Sequence, residues 1–203
     1  RAKPSVVATI ASTRASPSGV VGAVTSTWRR AAITGQASSW ARVGAAKRPG
    51  DVAVASIHWG GNWGYAIPAE QRHFAHRLID QAGVDLVHGH SSHHPRGIEV
   101  YRNKLILYGC GDFLNDYEGI SSHEEFRGDL TLMYLPVLDP DGQLLGMEMW
   151  PMQTYRFRLR QASLNDGRWL ARVLDRESRK LGSGVVFEDG RLRLCSGSRA
   201  KAM

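Results

Sequence analysis

Residues 84–99 read VDLVHGHSSHHPRGIE, a short apolar run that ends in His88, His90, His93 and His94. Neutral imidazole is the commonest metal ligand, and Gly89 frees the backbone to aim neighbouring side chains at one point. The layout occurs once more upstream, where VAVASI runs into His58-Trp59-Gly60. One histidine at a strand end is usually structural. Two strand ends that both deliver histidine point to metal or phosphate chemistry. Asp112, in the glycine-paired loop Tyr108–Phe113, is the third polar group expected at such a site. Arg96, just past the cluster, is the cation suited to an anionic phosphate or carboxylate.

These residues need elements to position them. The run 52–57 reads as a buried strand, being short, apolar and bounded by turn residues. A helix is expected over 68–82: Pro68 suits a first turn, Phe74, Ala75, Leu78, Ile79 and Ala82 share a face, and Gly83 can close the end. His73 and His76 fall on its polar side. The run 84–87 is the next strand, so strand, helix and strand form a crossover long enough for parallel pairing. Both histidine motifs then sit at the carboxyl ends of adjacent parallel strands, where open α/β sheets place their ligands. Further on, 98–101 with 104–108 and 129–138 with 143–150 read as hairpins, the second turning at Asp139-Pro140-Asp141-Gly142. Residues 152–159 extend the last strand, a helix follows at 164–181, and a final hairpin turns at Asp189-Gly190. The fold class is α/β with a mixed sheet.

Composition narrows the function classes. The chain has 203 residues, 42% of them apolar, enough for one domain with a substantial core. No run approaches the roughly 20 apolar residues of a membrane span. Cys110 and Cys195 form no CxxC pair, so this is no disulfide scaffold. The net charge of +7 is unevenly distributed: residues 1–50 carry eight of the 26 Lys and Arg and none of the 19 Asp and Glu. The remainder is nearly neutral, so no nucleic-acid partner is expected from the basic total. Residues 1–48 form a basic, acid-free leader with the Ser- and Arg-rich composition of a transit peptide or a disordered arm. Val20–Val24 is too short and glycine-broken for a secretory signal. Residues 49–203 form the body.

The segments DVAVASIHWG, AGVDLVHGH and HPRGIEVYRNKLILYGCGDF, in this order, resemble the CapA family of capsule biosynthesis, also called poly-γ-glutamate synthesis proteins. That family belongs to the calcineurin-like metallophosphoesterases. The likeness spans roughly residues 50–160. It implies a four-layer αββα sandwich with mixed sheets, partial in this chain, and a strand-end site for two divalent cations, Mn, Fe or Zn. His58, His90 and His93 match the family's ligand histidines, with His94 an alternative to His93. His90 and Asp112 are the catalytic candidates, Asp112 standing where the family more often has asparagine. Trp59 and Arg96 are the substrate-facing candidates.

The family's early ligands lie in Asp-x-His, Gly-Asp and Asn-His segments, yet residues 1–50 hold no Asp, Asn or His. The expectation is therefore the C-terminal portion of a CapA-like domain with an incomplete metal site. Its substrate would be an anionic polymer or a phosphoester. The alternative is a non-catalytic binding or assembly module for polymer synthesis or export. A mononuclear amide hydrolase with Glu99 or Asp112 as base is a third reading. A sheet without its opening strands would expose an apolar edge that invites association. Localisation, cytoplasmic or at the cell envelope, is not fixed by any of these features.

Overall fold

The computed structural model describes residues 5–12, 27–33, 43–48, 50–115 and 122–196. Its first sheet has the strand order β2-β1-β3-β4-β6-β5, from β1 (Ser5–Ser12), β2 (Thr27–Ile33), β3 (Asp51–His58), β4 (Leu86–His90), β5 (Ile98–Tyr101) and β6 (Lys104–Leu107). The strands β3, β4 and β6 are parallel, whereas β1, β2 and β5 are antiparallel to their neighbours, which makes this sheet mixed. Helix α1 (Ala69–Ala82) carries the crossover from β3 to β4. Pro68 stands at its N-cap, and Gly83 ends it in the left-handed region at φ +68° with its N–H on Leu78 O, as the turn residues predict. Buried Ala75, Leu78, Ile79 and Ala82 pack on Ala53, Ala55, Ile57 and Val87 of the sheet. Burying Leu78 and Ile79 contributes about 2 kcal/mol each.

The second sheet is antiparallel, in the order β10-β11-β8-β7 with β9 paired to β8. Its strands are β7 (Leu130–Leu138), β8 (Leu144–Tyr155), β9 (Arg158–Gln161), β10 (Ser183–Glu188) and β11 (Arg191–Ser196). Helix α2 (Leu164–Arg179) begins at Ser163, whose Oγ accepts the Asp166 N–H, a serine N-cap. Leu170, Ala171 and Leu174 of α2 meet Leu86, Leu105 and Leu107 of the first sheet and Leu130, Leu132, Met147, Met149, Val185 and Leu192 of the second. Two cores result, one under α1 and one where the sheets and α2 converge.

Most expected elements are present within one or two residues. Three expectations change. Residues 152–159 do not run on as one strand: Arg156 and Phe157, at φ +52° and +55°, turn β8 back into β9. The leader is not wholly apart from the body, because β1 pairs with β3 from Ser5↔His58 to Ser12↔Asp51. The exposed edge expected at β3 is therefore covered by β1, with β2 outside it. Val20–Val24 lies outside the described residues. No helix among the described residues is long and apolar enough to cross a membrane.

One position fixes the spacing of the strands at the site. A Cβ on Gly89 would lie 2.4 Å from Trp59 Nε1 and 2.7 Å from the carbonyl oxygens of Leu107 and Tyr108. Two of those three atoms are backbone and cannot step aside. Gly89→Ala is expected to lower stability by about 3 kcal/mol or more, read as a fall of roughly 6–12 °C in Tm. A Tm within 2 °C of wild type would show that the strands separate easily.

Candidate functional site

The parallel register of β3 and β4 sets His58 opposite His90 and Ser56 opposite His88. Alternate residues of a strand share a face. Ala53, Ala55, Ile57 and Val87 face α1, so Ser56, His58, His88 and His90 project from the other side. The rings of His58 and His90 lie 5.3 Å apart and those of His88 and His90 5.8 Å. Ser56 Oγ is 3.3 Å from His88 Nδ1. Burial first, and then the charge of the neighbouring histidine, hold His88 and His90 below the ordinary histidine pKa. Both are therefore neutral near pH 7, the form that ligates a cation.

The other predicted residues divide between the site and the interior. His93 Nδ1 lies 2.7 Å from Asp112 Oδ2. Asn115 Nδ2 donates to the same carboxylate oxygen at 3.2 Å. A carboxylate on Nδ1 orients an imidazole and leaves Nε2 as its acceptor nitrogen. His94 differs from His93 completely: it is fully buried, with Nδ1 3.0 Å from Pro95 O. Its ring stacks on Phe126 at 4.7 Å and meets Tyr65 edge-on at 4.7 Å. Burial pushes its pKa down to about 4, against the opposing bond to Pro95.

Trp59, a substrate-facing candidate in the sequence, lies in the interior. It is 6% exposed, donates Nε1–H to Tyr108 O at 3.0 Å and stacks on the Tyr108 ring at 5.8 Å. An apolar ring beside a buried carbonyl is worth more in the core than at a rim. Arg96 is also interior, with Nη2 donating to Ala66 O. Glu99 is buried, accepts from Tyr108 Oη at 2.6 Å and from Arg72 at 3.2 Å, and lies 3.0 Å from His76 Nε2. His73 is exposed on α1, as its polar-side placement implies.

Sequence reasoning missed an aromatic box beside His93. Trp63 stacks on His123 at 4.3 Å and lies 5.2 Å from His93 and 5.7 Å from Phe126. Trp63 and Tyr65 were visible in HWGGNWGY, but nothing local in sequence joins them to His123 and Phe126.

The donors at the strand ends are imidazoles without a carboxylate among them. Among the described residues no three His, Cys, Asp or Glu side chains gather as a metal-ligand group. Neutral imidazoles suit one Zn, Mn or Fe ion. A two-cation centre needs bridging carboxylates, and the sequence's carboxylate candidate, Asp112, is engaged by His93.

A model of the bacterial capsule synthesis protein family PGA_cap matches residues 6–117, more than half of the chain. The chain belongs to that family. The PGA_cap match takes in β1 and β2 as well as both histidine motifs, and the family has a metallophosphoesterase-like α/β fold. Two Mycobacterium tuberculosis proteins, from strains H37Rv and CDC 1551, each named "probable polyglutamine synthesis accessory protein", are 57% identical over 147 residues. The alignment covers 72% of this chain and 38% of each relative, so the chain spans well under half their length. The PGA biosynthesis protein CapA of Bacillus subtilis is 37% identical over 71 residues, 35% of this chain and 18% of that protein.

Cys110 forms part of the floor behind the site, its N–H on Gly89 O at 3.1 Å. Burial pushes its thiol up to about 12. Since the thiolate is the nucleophile, only about one thiol in ten thousand is reactive at pH 8, and that one is enclosed. Alkylation by iodoacetamide at pH 8, followed by peptide mass spectrometry, is expected to label the half-buried Cys195 and spare Cys110 until the protein unfolds. Labelling of Cys110 at the rate of Cys195 would mean that this floor opens in the native state.

Proposed function

We propose that the chain is part of an accessory protein for synthesis of a glutamate-type capsule polymer and carries a metal-dependent hydrolytic centre at the ends of β3 and β4. The observation that carries this reading is the pairing of His58 with His90 across parallel strands, rings 5.3 Å apart. The names of the mycobacterial and Bacillus relatives supply the polymer context.

On this reading His58 and His90 hold one divalent cation, with His88 behind them, and its substrate is a phosphoester or an anionic polymer. When bound, the cation supplies Lewis-acid polarisation of a phosphoryl or carbonyl oxygen. His93 accepts a proton at Nε2, and Asp112 orients its ring and stabilises the imidazolium so formed. Asn115 fixes the Asp112 carboxylate. Trp63 walls the His93 side of the site.

A second reading, a non-catalytic assembly module of the same fold, draws support from the lack of a carboxylate among the strand-end histidines. Elemental mass spectrometry after dialysis against Mn or Zn, together with hydrolysis of a nitrophenyl phosphodiester, separates the two. The hydrolytic reading expects about one cation per chain, lost in His58→Ala/His90→Ala and retained in His93→Ala, with the rate of the latter down roughly 10²–10⁴-fold. Metal binding without hydrolysis would favour the assembly module. No metal in the wild type would overturn the metal centre.

A further inference from the structure

A positive charge lies buried in this fold without a negative one. Arg96 is 3% exposed, and among the described residues no carboxylate pairs with it. Its Nη2 bonds to Ala66 O, while Nε and Nη1 have no partner among the described residues. Guanidinium stays protonated in proteins, so a solitary buried one is costly unless something compensates it. The cost is local to one place, because the adjacent polar side chain is also unsatisfied. Gln71, 9% exposed, has neither Oε1 nor Nε2 bonded.

Both side chains converge on one point. An ideal Cβ on Gly60 would lie 3.0 Å from Arg96 Nη1 and 3.4 and 3.5 Å from Gln71 Oε1 and Nε2. Gly60 has φ +76° and no side chain, so the Arg96 and Gln71 head groups pack close against its backbone. It and Gly61 are exposed, so a two-glycine turn is the cover over the pair on this side. Gln71 stands in the first turn of α1, a 14-residue helix whose N-terminus has no side-chain cap. The first backbone N–H groups of a helix and its dipole favour negative charge nearby. A buried cation and an unpartnered amide, the latter carried by the first turn of α1, thus meet at one glycine turn, two residues after His58.

We propose that Arg96, Gln71 and the start of α1 form a seat for one small oxyanion, a carboxylate or a phosphate group, beneath the Gly60-Gly61 turn. Arg96 supplies charge and two open donor positions, and Gln71 supplies a further N–H. The seat does not depend on a metal at His58 and His90, and its test reads no activity. Placed beside the strand ends, it would receive an anionic group of a molecule bound there or a free ion of the same chemistry.

The test is thermal unfolding of the wild-type chain in sodium phosphate and in sodium acetate, each against sodium chloride at matched ionic strength. Phosphate stabilises proteins generally by exclusion from their surface, so only a saturable excess counts. Binding to the native state should raise Tm by roughly 4–8 °C at saturation. Gln71→Glu is nearly isosteric and places a carboxylate beside Arg96. It is expected to raise Tm without added oxyanion and to abolish the saturable response. Arg96→Met, which removes the charge and keeps the bulk, is expected to abolish the response as well. Saturation by phosphate alone assigns the seat to a phosphoryl group, and saturation by acetate alone to a carboxylate. Saturation by both assigns it to the chemistry they share. A non-saturable rise equal in all three proteins would overturn the proposal.

Discussion

The structure depends on the parallel pairing of β3 with β4. Their five-residue register brings together two histidine-bearing strand ends, His58 and His90, that are 32 residues apart in sequence. The pairing is tight because Gly89 lets the Trp59 indole and the carbonyls of Leu107 and Tyr108 close over it. Helix α1 covers one face of the pair, leaving the face with Ser56, His58, His88 and His90 turned away from its core. The apolar packing under α1 is thus what holds the imidazoles in place.

That arrangement was largely legible in the sequence. Strand, Pro-led helix, Gly stop and strand imply a right-handed crossover, which fixes which strand ends are neighbours. The hairpins also followed from their turns, because Arg102-Asn103 and Asp189-Gly190 adopt the positive φ that such turns demand. The Arg156-Phe157 turn was not legible. Neither residue is a customary left-handed residue, so local propensity argues for one continuous strand.

The site residues were less legible than the strands, for a physical reason. Residue type says what a side chain can do, whereas burial decides what it is used for. Trp59 and Glu99 both carry functional chemistry, yet each is interior. Glu99 is satisfied by Tyr108, Arg72 and His76, and Trp59 by the Tyr108 carbonyl. His93 and His94 were inseparable in sequence because adjacent residues leave the backbone on different sides. One met Asp112, and the other entered the aromatic box. Such partners come from distant loops and leave no local pattern.

On the proposed reading His58 and His90, not His93 and His94, form the cation-binding pair. The most direct measurement is a zinc titration of uniformly ¹⁵N-labelled protein followed by long-range ¹H–¹⁵N correlation of the histidine rings. The ring nitrogens of His58 and His90 are expected to shift together and saturate at one equivalent, with His94 unmoved. A titration in which His93 and His94 shift while His58 stays in place would contradict it.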